Sequence, residues 1–231
     1  LIKRMDISLR INPILPQFEG GFTGYEMLSK ANPRIEQLTV VMGIGAEVNY
    51  IGGEFEGVAS GTGKVRLGGS LLVGTIKPNS PVLQTHFKDL MSKLSEIPGS
   101  GNQIFTGFYL RAHGQTPIFG ASCLLQVTAG AEVAGWYWSI ANNQGDAWGG
   151  KLRGYVFGSF ICLVSLRGDI TLEYYQQTFN NETTRTFDGV GWVAGGLGFC
   201  DADGWKSWET RWWDQPFCWT AGARLQIKYR E

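Results

Sequence analysis

From about residue 38 the chain alternates: Val40, Met42, Ile44, Ala46, Val48 and Tyr50 take one phase, with Glu47 and Asn49 among those on the other. A period of two is the mark of a half-buried strand, and a strand is expected near 38–59. "SGTG" at 60–63 supplies a turn, and Val65, Leu67, Leu71 and Val73 alternate along a return strand near 63–77. The rhythm then changes. Leu83, Phe87, Leu90, Met91 and Leu94 recur at helical spacing, Ser80 is placed to cap, Pro81 opens the first turn and Pro98-Gly99 stops it. One amphipathic helix is therefore predicted over 81–97, laid on an apolar sheet face.

Alternation then resumes and lengthens, predicting strands near 103–112, 117–140, 150–176, 189–200 and 218–230. Ala121, Cys123, Leu125, Val127, Ala129, Ala131, Val133 and Tyr137 share one face. So do Leu152, Val156, Phe160, Cys162, Val164, Leu166, Ile170, Leu172 and Tyr174. At roughly 3.3 Å per residue this last run would reach on the order of 70 Å. A bend or bulge is required, with Gly154, Gly158 and Gly168 as the candidate points.

Composition supports the strand reading. The 231 residues include 33 glycines and nine tryptophans, and 43% are apolar, enough for a substantial core. The expectation is an all-β fold: a long twisted antiparallel meander sheet or a sandwich, with one helix packed on it, forming a single β-rich domain over 1–231. Twenty basic and twenty acidic side chains cancel, leaving no net field to recruit nucleic acid or an anionic surface. No apolar run is long enough for a transmembrane helix. The chain opens at Leu1 without a signal-peptide pattern and reads as a processed product or a piece of something longer. Short echoes ("GAEV" at 45 and 130, "GARL" at 222, "GKVR" at 63 and "GKLR" at 150) raise an internal repeat of 38–77 and 122–176, with a partial third copy at 218–230.

The four cysteines act as a ruler. A hairpin centred between Asn142 and Asn143 sets Cys123 opposite Cys162, Glu132 opposite Arg153 and Tyr137 opposite Trp148 while keeping both apolar faces together. Likewise, Cys200 opposite Cys218 sets Phe199 against Trp219, Val193 against Leu225 and Gly191 against Ile227. Two such pairs, with no C-x-x-C and only two histidines, predict disulfides in an extracellular or other oxidising compartment; four buried thiols in a reducing one is the alternative. The sequon Asn181-Glu182-Thr183 agrees with export.

Candidate chemistry is sparse. Trp205, Trp208, Trp212 and Trp213, with Arg211, crowd the loop between Cys200 and Cys218. Indole offers a broad face and one donor, suiting a sugar, a flat apolar ligand or a protein; the competing reading folds the rings inward. Asp201 and Asp203 lack the spacing of a calcium loop, and "GVASGTGKV" lacks that of a phosphate loop, so no metal or cofactor is expected. His86 and His113 are read as surface or turn residues. Glu47, Glu132, Arg66 and Arg153 share the polar phase, where cross-strand ion pairs account for them. No acid–base or nucleophile constellation assembles, so the chain is expected to be non-enzymatic. The function expected is that of an exported structural or interaction protein, binding itself or another protein through excess apolar sheet and the tryptophan loop. The alternatives are a carrier of a lipid-like hydrophobic ligand and a glycan-binding module.

Overall fold

The computed structural model describes all residues except 1–3, 13–16, 28–33, 61–63, 88–89, 92–93, 95–102, 123–124, 141–144, 162 and 199–217. Eleven strands form one antiparallel sheet in strict chain order. They are β1 (Arg4–Asn12), β2 (Gln17–Met27), β3 (Arg34–Gly45), β4 (Asn49–Ser60), β5 (Lys64–Ile76), β6 (Phe105–Ser122), β7 (Leu125–Ile140), β8 (Gly145–Phe160), β9 (Val164–Phe179), β10 (Glu182–Gly198) and β11 (Cys218–Arg230). One helix, α1 (Pro81–His86), lies between β5 and β6. The expected all-β meander is the observed fold, as one sheet.

Several boundaries differ from the expected ones. The run 38–59 is a hairpin, β3 and β4, turning at 46–48. The run 150–176 also divides, because Ile161 takes a left-handed φ of 54° and reverses the chain between β8 and β9. That reversal replaces the predicted bend at Gly154, Gly158 or Gly168. β1 and β2 were not anticipated. "HGQT" at 113–116, read as a turn, is the middle of β6. Of the short echoes, 45–48 falls at the β3–β4 turn, 130–133 in mid-β7 and 222–225 in mid-β11.

The register of β7 on β8 is the predicted one, with Glu132 opposite Arg153 and Tyr137 opposite Trp148. The register of β10 on β11 is displaced by two residues. Val193 opposes Ala223, Gly191 opposes Leu225 and Gly198 opposes Cys218. A two-residue slip preserves the face of every side chain, so the apolar pattern alone does not choose between the two alignments.

The helix sits on the face opposite to the one expected. Ser80 caps α1, accepting from the Leu83 amide at 3.3 Å, and its hydroxyl also donates to the fully buried Glu19 on β2. At the other end His86 reaches Ser8 of β1 at 2.9 Å and Thr23 of β2 at 2.5 Å. Both ends of α1 are thus pinned to the polar phase of β1 and β2. Beyond it Phe87, Leu90, Met91 and Leu94 bury themselves among Val41, Tyr50, Leu72, Phe105, Trp138 and Ile140, a cluster gathering residues from β3 through β8. The sheet therefore has an inner face, gathered around the helix, and an outer face that α1 leaves bare.

Candidate functional site

The two faces divide the sequence by polarity. Along the outward phase of β7, β8 and β9, from Leu125 to Tyr137, Trp148 to Phe160 and Val164 to Tyr174, every position is apolar or glycine. Met5, Ile7, Leu9 and Ile11 on β1, Val40, Met42 and Ile44 on β3, and Leu225, Ile227 and Tyr229 on β11 continue it. All of these last ten are exposed; Leu152, in the middle of the band, is 58% exposed. Such an expanse exceeds the scattered apolar patches of water-soluble surfaces. Even the β8–β9 turn is apolar, with Phe160, Ile161 and Leu163 exposed.

An aromatic row borders the band on the side of the 140–145 and 179–182 connections. Tyr137 opposes Trp148, Tyr174 opposes Phe187, and Phe187 opposes Tyr229. The Trp148 and Tyr174 rings lie 5.1 Å apart, tilted at 48°. One step further along β9 and β10 the outward phase becomes polar at Gln176 and Arg185, which hydrogen-bond at 3.2 Å. Apolar band, aromatic row and polar end succeed one another along a single phase. The band from Leu125 to Tyr137 measures roughly 40 Å along the strand, or about 28 Å when tilted near 45°.

The inner face holds the charges. Glu132, almost wholly buried, accepts from Arg111 at 3.0 Å and Lys151 at 2.9 Å. Arg153 grips Asp169 through Nε at 3.1 Å and Nη2 at 2.6 Å, and Arg167, 1% exposed, reaches the same carboxylate at 3.4 Å. Arg167 also stacks over Tyr155 at 5.2 Å and Trp192 at 5.3 Å. The expected ion pairs therefore exist, but Glu132 and Arg153 each bond diagonally to other partners rather than to one another. His113 is buried within β6 and bonds Glu56 at 2.8 Å, and His86 is half-buried against β1 and β2. Neither is the surface residue the sequence suggested. Burial holds the His86 pKa below the usual histidine range, opposed by Asp6.

Aromatic rings on this face rest on glycines directly across the strand. Tyr155 covers Gly130 and Trp136 covers Gly149; in each case an added Cβ would come to 2.5 Å from the ring. A recess of about 370 Å³ opens beside Trp136, lined by Glu173, Asp188, Thr186, Lys228 and Arg230.

The predicted binding residues Trp205, Trp208, Arg211, Trp212 and Trp213 lie outside the described residues, as do Cys123, Cys162 and Cys200. The shifted β10–β11 register removes the predicted basis for setting Cys200 opposite Cys218. Among the described residues no group of histidine, cysteine or carboxylate side chains is arranged to hold a metal, and no helix is long and apolar enough to cross a membrane. What the sequence reading missed is the direction of the apolar phase. The absence of charge along it in "LQVTAGAEVAGWY" and "WGGKLRGYVFGSF" was the available signal. Compared with protein-family models, with curated proteins and with solved structures, the chain matches none.

Proposed function

We propose that this chain forms the wall of a membrane-embedded β-barrel in an exported compartment, its outer face against lipid and its inner face enclosing α1 and the ionic network. The observation that carries the reading is the inversion of polarity: charges buried inside, an uncharged apolar band outside. In hydrocarbon a strand has no water to satisfy its amides, so sheets cross membranes as hydrogen-bonded walls with alternating apolar-out, polar-in sequence. The height of the band fits a hydrocarbon core of about 30 Å, and aromatic girdles mark the interfaces of such walls. The row through Tyr137, Trp148, Tyr174, Phe187 and Tyr229 supports the reading as the counterpart of such a girdle.

The test is co-flotation with phospholipid vesicles in a density gradient, followed by tryptophan quenching with lipids brominated along the acyl chain. Quenching that falls on replacing Trp148→Phe is the expected result. Protein that stays in the aqueous fraction after refolding, with all its fluorescence retained, overturns the reading.

A further inference from the structure

We propose that the recess beside Trp136 binds a neutral sugar, a hexopyranose or a short chain of them, held between aromatic side chains and charges of both signs. This assignment goes beyond the membrane-wall reading, since the recess belongs to the inner face whatever meets the outer one.

Three successive levels of the β9–β10–β11 ladder build it. At the first, Glu173 opposes Asp188, which opposes Lys228. At the second, Tyr175 opposes Thr186, which opposes Arg230, and at the third Gln177 opposes Thr184. Every one of these side chains lines the recess. The remaining wall comes from β7. Trp136 opposes Gly149 of β8, and Gly149 in turn opposes Tyr175. Because position 149 carries no side chain, the indole lies over it, where an added Cβ would come to 2.5 Å from the ring. Trp136 belongs to the buried cluster that packs α1, and Tyr175 packs against that cluster. The recess therefore opens where the apolar interior stops and the polar levels begin.

Its lining states the chemistry of the ligand. The volume of about 370 Å³ falls within the range of small-molecule sites, roughly 300–1,000 Å³. Two carboxylates and two cations cancel. An anion would meet Glu173 beside Asp188, and a cation would meet Lys228 and Arg230. A hydroxyl group both donates and accepts, so a polyhydroxylated molecule donates to the carboxylates and accepts from the cations, with charge-assisted hydrogen bonds. Thr184, Thr186 and Gln177 can take either role with the same groups. A pyranose adds a face of C–H groups that suits the indole and phenol rings. A zwitterion matches the two signs of charge but brings few hydroxyls to the two threonines and Gln177.

The probe is maltose, titrated by calorimetry into the folded full chain held in a detergent without a sugar headgroup; glycine betaine, a zwitterion without hydroxyls, is the control. Maltose is expected to bind saturably and glycine betaine not to bind. The double variant Thr184→Val, Thr186→Val keeps β-branched side chains on the strand and is expected to weaken maltose about tenfold, the worth of two hydrogen bonds. Asp188→Asn, nearly identical in shape, is expected to weaken it in the same direction and carries the test alone if the double variant does not fold. Three results overturn the proposal: no maltose binding, binding of glycine betaine in its place, or maltose binding that the folded variants leave unchanged, which would put the sugar elsewhere on the chain.

Discussion

The inner and outer faces of the same strands obey opposite rules. On β8, residues 152 and 153 are neighbours in sequence; Leu152 stands out exposed, while Arg153 turns inward to a two-point grip on Asp169. On a water-soluble domain one exposed leucine is ordinary, but a contiguous band of exposed apolar residues is not, and a buried arginine is a liability. Here the arrangement repeats strand after strand. The difference teaches that period-two alternation marks two faces without saying which one is the core: here the face bearing α1 and the charges is the buried one.

The largest expected effect tests the inner face. Asp169→Ala withdraws the carboxylate shared by Arg153 and Arg167 and is expected to cost about 3–5 kcal/mol, as when a buried ion pair loses one partner. Equilibrium unfolding in urea measures it, and a loss below about 1 kcal/mol would mean that water reaches this network freely. Next comes the outer face: Leu152→Arg is expected to cost about 2–4 kcal/mol in lipid, where the substituted position lies mid-band. On a surface bathed in water the same change stays within about 0.5 kcal/mol. Unfolding from vesicles therefore separates the two solvents directly. Gly130→Ala, which forces the Tyr155 ring off its seat, is expected to cost about 1–3 kcal/mol by overpacking, whereas Gly154→Ala on the open outer surface, with nothing within 4 Å, costs far less.

The smallest effect concerns α1. Burial depresses the His86 pKa, so the folded state prefers the neutral ring. That contribution is present above the ordinary histidine range near 6.5 and is lost as pH falls below it, when the unfolded chain takes up the proton more readily. Protection of the amides of residues 81–86, measured against the intrinsic exchange rate at each pH, is expected to fall on acidification from pH 7 to 5, and His86→Gln is expected to flatten that dependence.

Much of this was legible in the sequence. Period-two alternation located most strands, and centring the hairpin between Asn142 and Asn143 gave the β7–β8 register correctly. The β10–β11 alignment differs from the expected one by two residues because a slip of two leaves every side chain on its own face, so that the Cys200–Cys218 pairing alone favoured the expected alignment. The β8–β9 reversal was hidden because "FICLV" carries no glycine, proline or polar turn residue, the residue types whose backbone preferences mark a turn. β1 was readable from Met5, Ile7, Leu9 and Ile11 alternating with Asp6, Ser8 and Arg10. The face bearing α1 was not. Its apolar stripe suggested an apolar partner, whereas Glu19, Ser8 and Thr23, distant in sequence, pin its ends to the polar side.

The strict nearest-neighbour order of the strands has a consequence for how the sheet is made. Each strand finds its partner in the next strand of the chain, and apart from the longer β5–β6 and β10–β11 connections the loop closures are short, so the sheet can grow hairpin by hairpin without searching for remote segments. Among the described elements α1 departs furthest from this locality, reaching back from after β5 to β1 and β2. Its contacts require the first five strands to be present, so it can close over the sheet's earliest strands only after the fifth has been added.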